Sequence, residues 1–454
     1  MSGSVIKNVF ARQIMGRNYP AISATVVTEN GTVASAVCTA GISIGTHEVA
    51  FAYDGGSRWH GLGVMNAVNQ VTELIAPAII GLDAADQFLI DQTMLSIGGG
   101  DPARGIGGNA AAAVSGAVLK AGAAALGIPL YQHIGGIDAV VLPAASYGVV
   151  GGSNRYDRLK EAGAKPTYSF IAHTFDSFSE ASYALWEAAN AWQEFMLTTY
   201  GLSALRSSEA ATTTGFVYVP PGIVQKEVEL WQMMGEIIAK SGYEGRIGLQ
   251  VDLAADCFYN KQTGLYENLF GPGAMTRDEV IATVREMADK YCFVSVEDPL
   301  HEDDFEGHAM ITRAVDIQIV GDDLFTTNVS RVTEGIKAGA CNCVLLKVNQ
   351  IGTITQALEM IQLAYENGYG VMPCSSRGEG VDIVDYSVGI NAGTIRESGI
   401  GSGGSRFLEI EKELGSRALY AGARGLKGSR FQSITTQAEA QQCPDANKGR
   451  QSWA

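Results

Sequence analysis

Residues 293–297 read Phe-Val-Ser-Val-Glu, a short apolar run that closes on a carboxylate, Glu297. The same arrangement recurs 45 residues earlier, where Ile247-Gly-Leu-Gln-Val251 runs into Asp252. It recurs 25 residues later, where Ile317-Gln-Ile-Val320 leads through Gly321 to Asp322. A further 25 residues on, Val344-Leu-Leu346 leads into Lys347. A strand, a turn, a helix and a second turn take about that many residues in (β/α) barrels of roughly 250 residues. Side chains at the C-terminal ends of parallel strands converge on the barrel mouth. Three acids gathered there repel one another unless a cation lies between them, and an all-oxygen site of this kind suits Mg²⁺. A lysine beside such a site is a candidate base for proton abstraction. The pattern predicts an α/β enzyme.

Outward from that barrel the chain divides in two. Residues 5–12, 21–28 and 32–38 read as strands, with Asn30-Gly31 as a hairpin turn. Helical periodicity follows over 64–76, 83–95 and 110–126. These make an α+β capping domain expected over 1–138. From residue 139 strand-like and helix-like segments alternate, the signature of α/β architecture, to about 430. Helices are expected at 178–202, 223–241, 276–290, 329–338 and 353–367, and late strands at 369–372 and 388–395. Residues 154–165 form a charged stretch expected over the mouth, and 431–454 a polar, mobile tail.

Composition narrows the function. The 454 residues are 46% hydrophobic and 18% charged, with 32 basic against 48 acidic side chains and a net charge of −16. That excess of acid, with no basic stripe, argues against nucleic-acid and anionic-membrane partners. The first residues lack the apolar core of a secretion signal and no apolar run reaches membrane-spanning length, so a cytoplasmic protein is expected. Seven cysteines without framework spacing read as free thiols.

The runs Val294-Ser-Val-Glu-Asp-Pro-Leu-His-Glu-Asp-Asp304, Gly321-Asp-Asp-Leu-Phe-Thr-Thr-Asn328 and Leu345-Leu-Lys-Val-Asn-Gln-Ile-Gly352 closely resemble the enolase (phosphopyruvate hydratase) family. So do Trp59-His-Gly-Leu-Gly-Val64, Pro129-Leu-Tyr-Gln-His133 and Glu409-Ile-Glu-Lys-Glu-Leu-Gly415, and the likeness runs in order from about residue 8 to 422. The resemblance implies an enolase-type (β/α)8 barrel capped by the N-terminal α+β domain and assembled as a homodimer or higher oligomer. It implies Asp252, Glu297 and Asp322 as Mg²⁺ ligands, Ser43 in the family's lid loop as a contact to a second Mg²⁺, and Lys347 as the base. A Lys or His base acting with one or two Mg²⁺ ions is established for that superfamily.

The chain departs from the family at the other half of the machinery. Asn154 stands in Gly151-Gly-Ser-Asn154 where the family has histidine. Ser169 and Thr214 stand where it has two catalytic glutamates. Ser375 and Ser376 replace a histidine and a phosphate-binding arginine, with Arg377 one step later, and Arg396 replaces a lysine. The expected substrate-binding set is therefore Asn154, Ser375, Ser376, Arg377 and Arg396. A general acid typically contributes 10²–10⁴-fold, about 3–5 kcal/mol of barrier, and neither serine nor threonine protonates a leaving hydroxide efficiently. Poor 2-phosphoglycerate dehydration is expected, with a small phosphorylated or phosphono acid as substrate. Asp157, Glu161 and His173 are weak candidates for the replacement acid, and Arg155 and Arg158 read as solvated loop residues. Carboxyphosphonoenolpyruvate synthases, diverged enolase relatives, supply a transferase alternative. A non-catalytic scaffold is a third reading, against which the intact Lys347 and carboxylates argue.

Overall fold

The computed structural model describes residues 3–16, 19–41, 44–151, 155–156, 165–209, 212–374 and 376–432, with backbone alone at 205–209, 212–214 and 432. The chain begins with an antiparallel sheet of Ile6–Gly16 (β1), Tyr19–Thr28 (β2) and Val33–Cys38 (β3), with β2 in the centre. The turn into β3 needs Gly31, whose φ of 86° lies in the left-handed region. Helices Gln87–Ile97 (α1) and Gly108–Leu126 (α2) follow. The Asp86 carboxylate caps α1 by accepting from Leu89 N at 3.0 Å. Alanine and glycine on α2 let its backbone press against the sheet; a Cβ on Gly116 would stand 3.1 Å from that of Ala36. Among the described residues only α2 is long and apolar enough to cross a membrane, and it is packed inside this core.

The rest is a TIM barrel of α/β class. Its strands are Ala144–Gly151 (β4), Thr167–Ala172 (β5), Ile247–Asp252 (β8), Phe293–Glu297 (β9), Gln318–Gly321 (β10), Cys343–Leu346 (β11), Gly370–Pro373 (β12) and Thr394–Ser398 (β13). They pair in that order, β13 pairs with β4, and a bridge from Cys374 to Arg396 closes the ring between β12 and β13. A hairpin, Ala204–Glu209 (β6) and Thr212–Tyr218 (β7), extends the sheet from β4. Helices Phe178–Tyr200 (α3), Glu227–Lys240 (α4), Arg277–Lys290 (α5), Phe305–Ala314 (α6), Val329–Ala338 (α7), Ile354–Glu366 (α8), Asp382–Gly389 (α9) and Gly401–Leu414 (α10) surround it. The indole of Trp192 on α3 donates to Val149 O at 3.1 Å, fixing that helix to β4.

Two features differ from the sequence reading. The apolar run at 388–395 is not one strand: α9 ends at Gly389 and β13 starts at Thr394. Both are buried, and a short buried run carries no period that separates helix from strand. Strand β5 runs antiparallel to both neighbours, with Thr167 opposite Asp252 and Ala172 opposite Ile247. Its beginning, not its end, therefore lies at the barrel mouth.

Candidate active site at the barrel mouth

Asp252 and Glu297 are the last residues of β8 and β9 and stand directly opposite each other. Asp322 follows β10 and Lys347 follows β11 by one residue. All four are buried. Just beyond the strand ends the backbone enters the left-handed region at Ala254, Asp298, Thr326 and Thr327, and at Glu397 and Ser398 within β13. Such conformations cost about 1–3 kcal/mol each and persist where surrounding bonds over-determine them. Those bonds are present. Asp298 Oδ1 accepts from Asp322 N at 2.9 Å and Oδ2 from Asp323 N at 2.8 Å. Thr327 Oγ1 accepts from Lys347 N at 3.0 Å and donates to Gln350 Oε1 at 2.8 Å. Glu397 N donates to Ser146 Oγ at 2.8 Å where the β13–β4 register slips between Ile395 and Ser398, the stretch that holds Arg396.

The mouth interleaves anions and cations. The Lys347 ammonium donates to Asp322 Oδ2, and Gln350 Nε2 donates to Asp322 Oδ1 at 2.8 Å. Arg396 Nη1 lies 2.7 Å from both Glu297 Oε1 and Asp252 Oδ2, and Nη2 donates to Thr167 Oγ1 at 3.2 Å. Lys165 Nζ donates to Asp252 Oδ2. Lys165 closes the charged stretch expected over the mouth, but the sequence does not signal its contact with Asp252. The reversed direction of β5 delivers this residue, two before the strand, to the mouth.

Titration follows this geometry. Burial would raise Asp322, but the Lys347 and Arg377 charges outweigh it and hold the carboxyl down at about 2. Burial would lower Lys347, yet Asp322 carries it above the ordinary lysine value. Burial lifts Glu297 to about 7 in spite of Arg396, and burial together with Arg396 brings Lys165 down to about 8.

The donors fit a hard divalent cation. Buried Asp252 Oδ1 and Glu297 Oε2 have no hydrogen-bond partner among the described residues, and Asp322 stands beside them. One oxygen each from Glu297, Asp298 and Asp322 lies within 4.8 Å of the others. Both oxygens of Asp298 are already spent on backbone N–H groups, so Asp252 is the better third ligand.

The other sequence-predicted residues fall in several places. Ser43, Asn154, Ser375, Asp157, Arg158, Glu161 and the tail from 433 lie outside the described residues. Ser376 is partly buried beyond the Cys374 bridge. Arg377 is only 1% exposed and grips Glu48 with Nη1 at 2.8 Å and Nη2 at 2.5 Å. Glu48, another residue that sequence reading missed, ties the loop after β3 to the mouth. Ser169 is buried on β5 opposite Gln250, and Thr214 pairs with Ser207 in the hairpin.

Two readings are corrected. Arg155 is no solvated loop residue: it is buried, with Nη2 2.8 Å from Glu227, and Tyr168 donates to the same carboxylate at 2.8 Å. His173 cannot be the replacement acid at the mouth: it is buried after β5 at the opposite end of the barrel, packed against Phe431.

Comparison with known proteins agrees with this architecture. Residues 6–134 match the family model described as enolase, N-terminal domain, and residues 209–429 match enolase, C-terminal TIM barrel domain. The enolase of Methanopyrus kandleri is 39% identical over 430 residues, covering 91% of this chain and 97% of the relative. The chain belongs to the enolase family. The enolases of Methanocaldococcus jannaschii and Pyrococcus furiosus are each 38% identical, covering 92% of this chain and 97% of theirs. Enolase-family membership places the chain among lyases of the hydratase type.

Proposed function

We propose that this enolase-family chain is a Mg²⁺-dependent lyase. Its substrate would be a small phosphorylated or phosphono hydroxy acid, from which it removes the proton α to the carboxylate and eliminates the β-group. 2-Phosphoglycerate would be a poor substrate. The observation that carries this reading is the contact of the Lys347 ammonium with Asp322 in a buried group of carboxylates. Lys347 Nζ takes the α-proton, and the released electron pair moves onto the substrate carboxylate. Asp252, Glu297 and Asp322 would hold the ion. When bound, Mg²⁺ supplies positive charge for the doubly charged carboxylate and offsets the Asp322 charge that otherwise keeps Lys347 protonated. Arg396 offers a planar fork for a carboxylate or phosphonate. Barrel packing keeps water from these groups, and a dry site strengthens each of these attractions. Ser169, buried on the inner wall, is too weak an acid to protonate a leaving hydroxide, which supports a substrate with a better leaving group.

The test is a panel of phosphorylated, phosphono and plain 2- and 3-hydroxy acids incubated with enzyme and Mg²⁺, with products followed by phosphorus and proton NMR. Elimination from one of them, lost in Lys347→Ala, supports the lyase. Turnover only when an activated phosphonate donor is added would move the reading to a transferase.

A further inference from the structure

We propose that Asp298 is a positioning residue that spaces the carboxylates of the barrel mouth for a small divalent cation and so favours Mg²⁺ over Ca²⁺. The inference rests on the metal-binding part of the proposed function and extends it to a residue outside the ligand set.

Asp298 directly follows Glu297 and is buried. Its φ of 42° lies in the left-handed region, where a residue with a side chain needs compensating bonds. Those bonds reach both neighbouring strand ends. Towards β10, Asp298 N donates to Val320 O at 3.0 Å, and the carboxylate accepts from Asp322 N at 2.9 Å and Asp323 N at 2.8 Å. Towards β8, Leu253 N donates to Glu297 O at 3.0 Å and Ala255 N donates to Asp298 O at 3.1 Å. One residue is thereby tied to the three segments that carry Asp252, Glu297 and Asp322.

Like charges at the ends of adjacent strands repel, and the clasp at Asp298 opposes that repulsion. Its side chain is the part of the staple that a substitution can remove, since the backbone bonds remain. Mg²⁺ demands a near-octahedral set of oxygens at about 2.0–2.1 Å, whereas Ca²⁺ accepts a flexible set at about 2.3–2.6 Å. Loosened carboxylates therefore cost Mg²⁺ more than Ca²⁺. Loss of the Asp298 charge alone would weaken two divalent ions alike. The ratio of the two affinities thus separates spacing from charge.

The experiment measures binding, not turnover. Isothermal titration calorimetry of wild type, Asp298→Asn and Asp298→Ala would follow Mg²⁺ and, separately, Ca²⁺, with thermal unfolding curves reporting which variants are folded. Asp298→Ala is expected to lose about tenfold or more in Mg²⁺ affinity, the usual effect of removing a group that orients metal ligands, while its Ca²⁺ affinity stays within a few-fold of wild type. Asp298→Asn keeps one acceptor oxygen, so its Mg²⁺-to-Ca²⁺ ratio should fall less than that of Asp298→Ala but remain below wild type. If Asp298→Ala does not fold, the ratio in Asp298→Asn decides. A ratio equal to wild type in the folded variants, whether both affinities stay or both fall together, would overturn the proposal. Absence of Mg²⁺ binding in wild type would overturn the metal reading itself, a separate outcome.

Discussion

Arg396 Nη1 stands 2.7 Å from Glu297 Oε1 and 2.7 Å from Asp252 Oδ2, so an arginine bridges two of the three carboxylates that the strand spacing predicted as a cation site. The register slip beside Arg396 on β13 and the close pairing of β8 with β9 bring this about. Arg396 is part of the barrel's structure as well as a substrate-binding candidate.

That dual position predicts metal-dependent stability. Arg396→Met should destabilise the protein by about 3–5 kcal/mol in the presence of chelator, because it leaves two buried carboxylates short of a counter-charge. Added Mg²⁺ should recover part of the loss. Urea unfolding with EDTA and with Mg²⁺ measures both; equal losses in the two conditions would mean that no cation reaches these carboxylates.

Glu48→Gln should release one end of the buried Arg377 fork, at a cost of about 3–5 kcal/mol. The loop after β3 would lose its anchor to the mouth. Limited proteolysis of that loop, together with the urea midpoint, reads the effect. A variant as stable and as protected as wild type would remove Glu48 from this role.

A pH dependence follows from two buried histidines. Burial, aided by Arg430, brings His173 from 6.5 to about 4, and burial brings His308 from 6.5 to about 4. The unfolded chain therefore binds more protons than the folded one between those values. Stability from this source is full above pH 6.5 and drains as pH falls toward 4, by about 3 kcal/mol for each histidine. His173→Phe should flatten the urea midpoint between pH 7 and 4.5 relative to wild type. An identical slope would show that His173 does not titrate in this way.

Dehydration of 2-phosphoglycerate should be at least about 10²-fold slower in kcat than by the Methanopyrus kandleri enolase assayed alongside, the usual contribution of a general acid. Comparable rates would mean that another group on this chain protonates the leaving hydroxide.

Much of this was legible in the sequence because strand ends carry their chemistry at fixed spacing. Asp252, Glu297, Asp322 and Lys347 each close an apolar run, and the runs became β8 to β11. What stayed hidden depends on strand direction and on long-range pairing. Nothing in 165–172 announces that β5 runs backwards, so the pairing of Lys165 with Asp252 at the mouth is not signalled by the sequence. Glu48 meets Arg377 from 329 positions away, a pairing that no local pattern signals. Arg155 looked solvated because its neighbours are charged, but Glu227 and Tyr168 enclose it. The run at 388–395 was ambiguous because burial on every side removes periodicity.

The most direct test of the account is α-hydrogen exchange in D₂O. With Mg²⁺ and the best acid from the panel, wild type should incorporate deuterium at the carbon α to the carboxylate, and Lys347→Ala and chelated enzyme should not. Exchange that persists in Lys347→Ala, or that is indifferent to chelation, would contradict it.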